Sequence, residues 1–567
     1  MDPLQSRIYS NEYGDIILPY NYTSEEKFLD TMKEYYPQII NREYAMLHIP
    51  ISSETVESSN RYVYSVVPDL FLPLDTTSLE VSGILKTQTQ PALGLKGKGI
   101  LIGFLDTGIS YTHPAFRTPS GTTRIVELWD QTIPHPDGLG PFGYGTVYSR
   151  EMINAALEAE NPESIVPSTD LNGHGTYIAG VAAGSPSPES QFTGAAPEAS
   201  LAVVRLKEAK DHLKKYYYFS GNTPVYQETD LMTGIQYLLD LSRRVEMPLV
   251  ICMALGSNQG DHTGFSPLCI SIRQLDTLLG IVTVAPGGNE GGKAHHYFNS
   301  VPSLSQPRSV EIYVRENTPG FFLEIWGQPP ETFSVGFRSP AGEIIPRIPV
   351  RLGKTEVIRF FLEDTAIYIN YELVQNTSGS ELIFIRFDKP TPGIWNVDVF
   401  CTAQLLRGEF HIWLPISGFT NPDVTFLTPD PLNTITTPGN SPHVITPSAY
   451  DAYNGSIFLH SSRGYTRNNQ IKPDLAAPGV NVTGPDLKND YTLKSGTSPA
   501  AALTAGSCAL LLEWGIRQKS IRYLSTYEAK SFLIRGAMRN PRETYPNEEW
   551  GYGSLNIYQV FSSISTT

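Results

Sequence analysis

Four short segments carry side chains whose types could together break a peptide bond. Ser498 lies in SGTSPAAALTAG, a small-residue turn that runs into an Ala-rich segment. A serine at the mouth of a helix faces unpaired amides and the positive end of the helix dipole, so negative charge growing on a bound carbonyl oxygen is stabilised there. Pro499 suits the first helical position and leaves the Ser498 N–H available as a donor. His174 stands in NGHGTYIAG between Gly173 and Gly175, and the small residues Ala179, Gly180 and Ala183 after it allow a helix to lie close to a sheet. Asp106 ends the apolar run Ile100 to Leu105 and opens a Gly-containing turn. Asn289 ends IVTVAPGGNE, with a side-chain amide that could donate to an oxyanion. Taken singly, these residues also read as a helix start, a structural histidine and turn formers. Taken jointly, they supply a nucleophile, a base, a carboxylate to orient the base and an oxyanion donor, the parts of acyl transfer.

Positioning such groups requires a large folded body. The chain has 567 residues, 40% hydrophobic and 17% charged, which describes a folded protein with room for about three domains at roughly 150 residues each. A net charge of −15 argues against a nucleic-acid surface or attraction to anionic lipid. Cys252, Cys269, Cys401 and Cys508 follow no metal-ligand spacing, so neither a disulfide framework nor a metal site is expected, and Cys252 and Cys508 lie in apolar runs as small core residues. The adjacent His295 and His296 read as a solvated pair in a polar loop. MDPLQSRIYSNEYGD lacks the basic start and apolar core of a secretory signal, and no run reaches the roughly 18 apolar residues of a membrane span. An intracellular location is the expectation.

Along the chain, residues 1–88 read as a small α+β unit, with a serine-capped helix from Ser24 to Tyr36 and strands at Ile39 to Pro50 and Tyr62 to Leu72. Lys86 to Pro91 (KTQTQP) reads as an exposed linker open to proteolysis. From Gly97, buried strands at Ile100 to Leu105, Ala202 to Leu206, Leu249 to Leu255 and Ile281 onward alternate with helical stretches such as Asp230 to Arg244. That alternation predicts a doubly wound parallel sheet. Ala254, Leu255 and Gly256 would offer a backbone edge to an extended peptide. Between Pro307 and Ser417, closely spaced strands without helical periodicity predict an antiparallel sandwich or jelly roll.

Through FLDTGISYTHPAF, NGHGTYIAG, APGGNEGG and SGTSPAAALTAG, in the chain order Asp, His, Ser, the sequence resembles the subtilisin-like serine proteases. GTTRIVELWDQT, the long insert after Asn289, LLLEWGI and YPNEEWGYG are similar to the clostridial Csp-type germination proteases. The resemblance implies an α/β, subtilisin-like doubly wound parallel sheet with an N-terminal α+β prodomain and an inserted all-β jelly-roll domain. Its divisions are 1–88 for the prodomain, 89–303 and 421–567 for the catalytic domain, and 304–420 for the insert. It implies catalysis by Asp106, His174 and Ser498, an oxyanion contact from Asn289 and substrate pairing at Ala254, Leu255 and Gly256. No cofactor is implied beyond the structural calcium of some subtilases, which no loop here matches. The implied function is a serine endopeptidase that removes its own prodomain near Leu85 to Gln90 and processes a protein zymogen, such as a spore cortex-lytic precursor during germination. The alternative is a catalytically silent sensor or binding protein of the same fold. Partners would be a protein or peptide substrate and the chain's own prodomain, with no nucleic acid and no membrane span, in an intracellular or spore-associated setting. Two departures stand out: Pro499 replaces the usual Met, and Gly288 precedes Asn289.

Overall fold

Four apolar runs become four parallel strands because each is buried on both faces. In β5 (Leu101–Asp106), β8 (Ser200–Arg205), β10 (Leu249–Met253) and β12 (Ile281–Val284), successive side chains enter opposite cores. Ile102, Phe104, Val203, Val250, Cys252 and Val282 join one core, while Leu101, Leu105, Ala202, Val204, Leu249 and Ile251 join the other. A strand buried on both sides cannot alternate with polar residues, and this is why continuous apolar runs signal parallel sheets. The structure, a computed structural model, describes residues 3–20, 24–51, 68, 70–73, 79, 81–135, 137, 140–402, 404–517 and 524–565.

With β6 (Ile125–Asp130) and β7 (Thr146–Ser149), these strands form a six-stranded sheet in the order β12-β10-β5-β8-β6-β7. Every pairing in it is parallel except β6 with β7. The helices His174–Ala183 and Thr497–Arg517 pack in the first core, and Glu228–Arg244 lies in the second. The doubly wound sheet expected from the alternation is present. Thr497–Ile516 is long and apolar enough by composition to cross a membrane, contrary to the reading that no run is, but 89% of it is buried inside the protein. It is apolar all round because it is a core helix.

The N-terminal unit is an antiparallel sheet β1-β3-β2, from β1 (Tyr13–Pro19), β2 (Gln38–Ile39) and β3 (Tyr44–Pro50). Its helix is Glu25–Met32, capped by the Ser24 hydroxyl, and a short 3-10 turn follows at Lys33–Tyr35. One sheet face holds a small core of Ile16, Phe28, Ala45 and Leu47, and the other lies against the larger body through Ile17, Tyr44 and Met46. Buried in that junction, the Asp15 carboxylate accepts bonds from Lys210 Nζ and Gln227 Nε2, both at 2.7 Å. Of the expected strand Tyr62 to Leu72, residues 62–67 and 69 lie outside the described residues; β4 (Leu70–Pro73) overlaps the end of that range.

Two expectations from composition fail here. The KTQTQP segment is no exposed linker: Ile84–Thr89 is a helix with Ile84, Thr87 and Gln88 buried. It packs against the helix Ile557–Ser565, and the Gln88 amide donates to the carbonyls of Gly194 (3.0 Å) and Ala195 (2.9 Å). His295 and His296 are likewise buried, His295 against Glu290 (2.6 Å) and His296 between His411 and Trp413. Both are covered because two antiparallel sheets, of six and five strands, rise between Asn289 and Ser498 and pack on the body at this point. These strands run from His296 to Phe426.

Candidate active site

The carboxyl ends of parallel strands point out of an α/β sheet, so polar side chains placed there meet in one crevice. Asp106 is the last residue of β5, and Leu105 pairs with Met253 on β10 next to it. Asp106 Oδ1 accepts the Thr107 N–H at 2.7 Å and faces His174 Nδ1 at 2.7 Å. Both groups are shielded from water, at 1% and 4% exposure. Because a carboxylate only accepts, His174 Nδ1 carries the hydrogen and Nε2 is left as the basic nitrogen.

His174 opens its helix after Gly173, whose φ of 84° favours glycine. A side chain on Gly175 would strike the Gly108 carbonyl at 2.2 Å and Asp106 Cβ at 3.0 Å, so the helix approaches β5 this closely only with glycine. Asp170, which sequence reasoning did not single out, organises the turn. Its Oδ1 accepts from Thr107 Oγ1 (2.8 Å), Asn172 N (3.1 Å) and Gly173 N (2.8 Å), and its Oδ2 accepts from Thr176 N (2.9 Å) and Oγ1 (2.7 Å). One buried carboxylate therefore joins the residue after Asp106 to the turn that carries His174. The signal was present as the spacing of Asp170 and Thr176 around the helix start, a variant of side-chain capping.

Ser498 is the second residue of the helix Thr497–Arg517, which packs against the helix of His174. It is fully buried, and its hydroxyl donates to the Ala254 carbonyl at 3.2 Å. Since the helix starts at Thr497, Pro499 sits inside the first turn and not at its first position; its missing N–H is still one of the amides without an intrahelical partner. Asn289 Oδ1 accepts the Thr497 N–H at 3.0 Å and faces Thr497 Oγ1 at 3.2 Å. A backbone N–H bonds only to the amide oxygen, so Asn289 Nδ2 is turned away from Thr497. Thr497, a second residue that sequence reasoning missed, also takes the Gly288 N–H on Oγ1 at 3.1 Å. Gly288 has φ 102°, and a Cβ there would lie 2.5 Å from Thr436 Cγ2, so glycine is required before Asn289.

Of the predicted peptide edge, Leu255 and Gly256 form the short strand β11, and Ala254 holds the Ser498 hydroxyl. That edge is paired. β4 lies antiparallel to it, Pro73 opposite Leu255 and Leu72 opposite Gly256. On its other side β4 pairs with β9 (Tyr226–Gln227), giving the order β11-β4-β9. A segment of the N-terminal region thus lies as the middle strand in the groove beside Ser498. Among the described residues, no cluster of His, Cys, Asp and Glu could hold a metal ion.

The chain matches the subtilase family over residues 97–339 and 423–553. It is similar to the structure of the CspB protease of Clostridium perfringens, with a TM-score of 0.75 and 32% identity over 85% of this chain and 96% of that one. It is 24% identical to the subtilisin-like protease SBT3.17 of Arabidopsis thaliana over 80% of this chain and 60% of that protein, and 25% identical to PopC of Myxococcus xanthus over 39% and 40%. It thus spans 60% or less of the length of these two curated relatives. A histidine held by a strand-end carboxylate, a serine at a helix start and an asparagine tied to that helix match what these likenesses lead one to expect: the chain belongs to the subtilase family of serine peptidases.

Proposed function

We propose that the chain is an endopeptidase in which Ser498 attacks, His174 takes its proton and Asp106 holds the imidazole tautomer and balances its charge. Asn289 Nδ2 and the Ser498 N–H would receive the oxyanion, and the acyl-enzyme would fall to water. The pairing of His174 Nδ1 with Asp106 Oδ1 at 2.7 Å carries this reading. Replacing Asn289 by Leu is expected to lower kcat by about 10²–10³-fold with KM little changed, the scale known for the equivalent donor in subtilisin. Steady-state kinetics on a peptide substrate checks it.

The first substrate is the chain itself. In the antiparallel register Pro73, the last described residue of β4, faces Leu255, one residue from Ala254, whose carbonyl holds the Ser498 hydroxyl, and Leu74 is the next residue in the sequence. The bond after Leu74 is therefore the one to be cut, not a bond within Leu85 to Gln90, where a packed helix cannot enter the groove in extended form. Residues up to Leu74 would be the prodomain. Intact-mass measurement of the purified chain tests this: a fragment ending at Leu74 is expected, and a single full-length mass or a cut between residues 84 and 89 rejects it. The all-β insert is read as a jelly roll that stiffens the body around His262, His296 and Trp413, whose rings stack at its base. Action on a second protein, a zymogen such as a spore cortex-lytic precursor, draws its support from the likeness to the Csp-type proteases.

A further inference from the structure

We infer that a cavity at the amino ends of the parallel strands, the opposite end from the catalytic crevice, binds a small anion carrying phosphate or carboxylate oxygens. It is lined by four cations, Lys96, Arg117, Arg124 and Arg150, and by one carboxylate, Glu198. In a chain of net charge −15, such an excess of positive charge in one hollow runs against the composition. Its volume, about 760 Å³, lies in the range of pockets that take small molecules, roughly 300–1,000 Å³.

The strand register fixes the place. Arg124 immediately precedes β6, Ser200 of the lining opens β8, and Lys96 lies just ahead of β5. Ser200 pairs with Leu101, and Asp106 stands at the other end of the same strand, so the cavity lies about 17 Å along the sheet from Asp106 at roughly 3.3 Å per residue. Arg124 is the buried member of the set, at 8% exposure. Its Nε donates to Ser185 Oγ at 3.0 Å, Nη1 to the Ala199 carbonyl at 2.7 Å, and Nη2 to the carbonyls of Ala115 (2.9 Å) and Ala183. These bonds hold the guanidinium in place, but every partner is neutral. A buried charge balanced only by dipoles is costly, and an anion in the cavity supplies the missing countercharge.

Arg117 adds an unused donor. Its Nη2 donates to the Thr112 carbonyl, while its Nε is buried without a hydrogen-bond partner. Among the described residues, neither Arg117 nor Arg150, the first residue of the helix Arg150–Glu158, forms an ion pair. Lys96 does pair with Glu198, at 3.3 Å, but both side chains are nearly half exposed, at 45% and 47%. An ion pair in that much water is weak and gives way readily to a stronger partner. Forked guanidiniums bind the paired oxygens of phosphate or carboxylate two bonds at a time, and a lysine adds a movable point charge. A chloride ion has no second oxygen for the fork, so the site discriminates by shape as well as by charge.

The test is isothermal titration calorimetry of the purified full chain at low ionic strength, with inorganic pyrophosphate and citrate as separate probes and sodium chloride as the control. Saturable binding of one or both oxyanions is expected, and the tighter of the two tells a phosphate-bearing ligand from a carboxylate-bearing one. Arg117→Gln and Arg150→Gln are each expected to weaken it by about 10-fold, the scale of one charge-assisted hydrogen bond. Glu198→Gln is expected to tighten it by about 2–5-fold, because it removes the carboxylate that competes for Lys96. Lys33→Gln, which alters an exposed charge on the N-terminal unit, should leave it unchanged. Circular dichroism shows whether each variant is folded; saturation by the unaltered chain and the sign of the Glu198→Gln effect decide the matter should an arginine variant unfold. No saturable binding of either oxyanion, displacement by chloride at equal concentration, equal weakening by Lys33→Gln, or weaker binding by Glu198→Gln overturns the inference.

Discussion

Replacing Ser498 by Ala is expected to leave one full-length band where the wild type yields two, and to reduce peptide hydrolysis by about 10⁶-fold. That scale is the one measured when the nucleophile of subtilisin is removed, and it corresponds to about 8 kcal/mol of barrier. Residual catalysis by the oxyanion donors and by binding should remain, about 10³–10⁴-fold above water. The substitution removes one oxygen whose bond is to the Ala254 carbonyl, at a helix position flanked by Thr497 and Pro499, so the fold should persist. Gel electrophoresis and a fluorogenic assay of the two proteins decide it. Identical full-length bands for both, with no turnover by either, would favour a silent sensor of the same fold.

The second large effect is expected at Asp106. Asp106→Asn should lower kcat by about 10⁴-fold, as the corresponding change does in trypsin. Asp106 Oδ1 accepts from both Thr107 and His174, in a pocket almost closed to water. An amide of the same shape can still accept from Thr107, but it brings no charge to offset the imidazolium that forms when Ser498 gives up its proton. Nor does it oblige Nδ1 to carry the hydrogen. Folding should be unaffected, because Asp106 Oδ2 is buried without a hydrogen-bond partner, where a neutral group is easier to bury than a charged one. Circular dichroism beside steady-state kinetics separates a chemical loss from a structural one; unchanged kcat would remove Asp106 from the mechanism.

The sequence by itself determined the parallel sheet, because strands buried on both faces have no polar alternative at any position. It also determined where the reactive side chains stand in the chain. Gly173, Gly175, Gly288 and the alanines after Ser498 are small because helices and loops must come close to place such groups, and that requirement is written locally. What only the tertiary structure decided are relations between distant segments. Asp170 and Thr497 matter through hydrogen bonds to Thr107 and Asn289, far away along the chain, and those pairings exist only in the folded chain. KTQTQP is polar in composition yet folds into a packed helix because Gln88 finds two carbonyls and its apolar side finds the C-terminal helix. His295 and His296 are buried by sheets that the residues around them do not predict. The residues up to Leu72 read as a strand from the sequence, but the place of β4 between β9 and β11, beside Ser498, exists only once the groove is built.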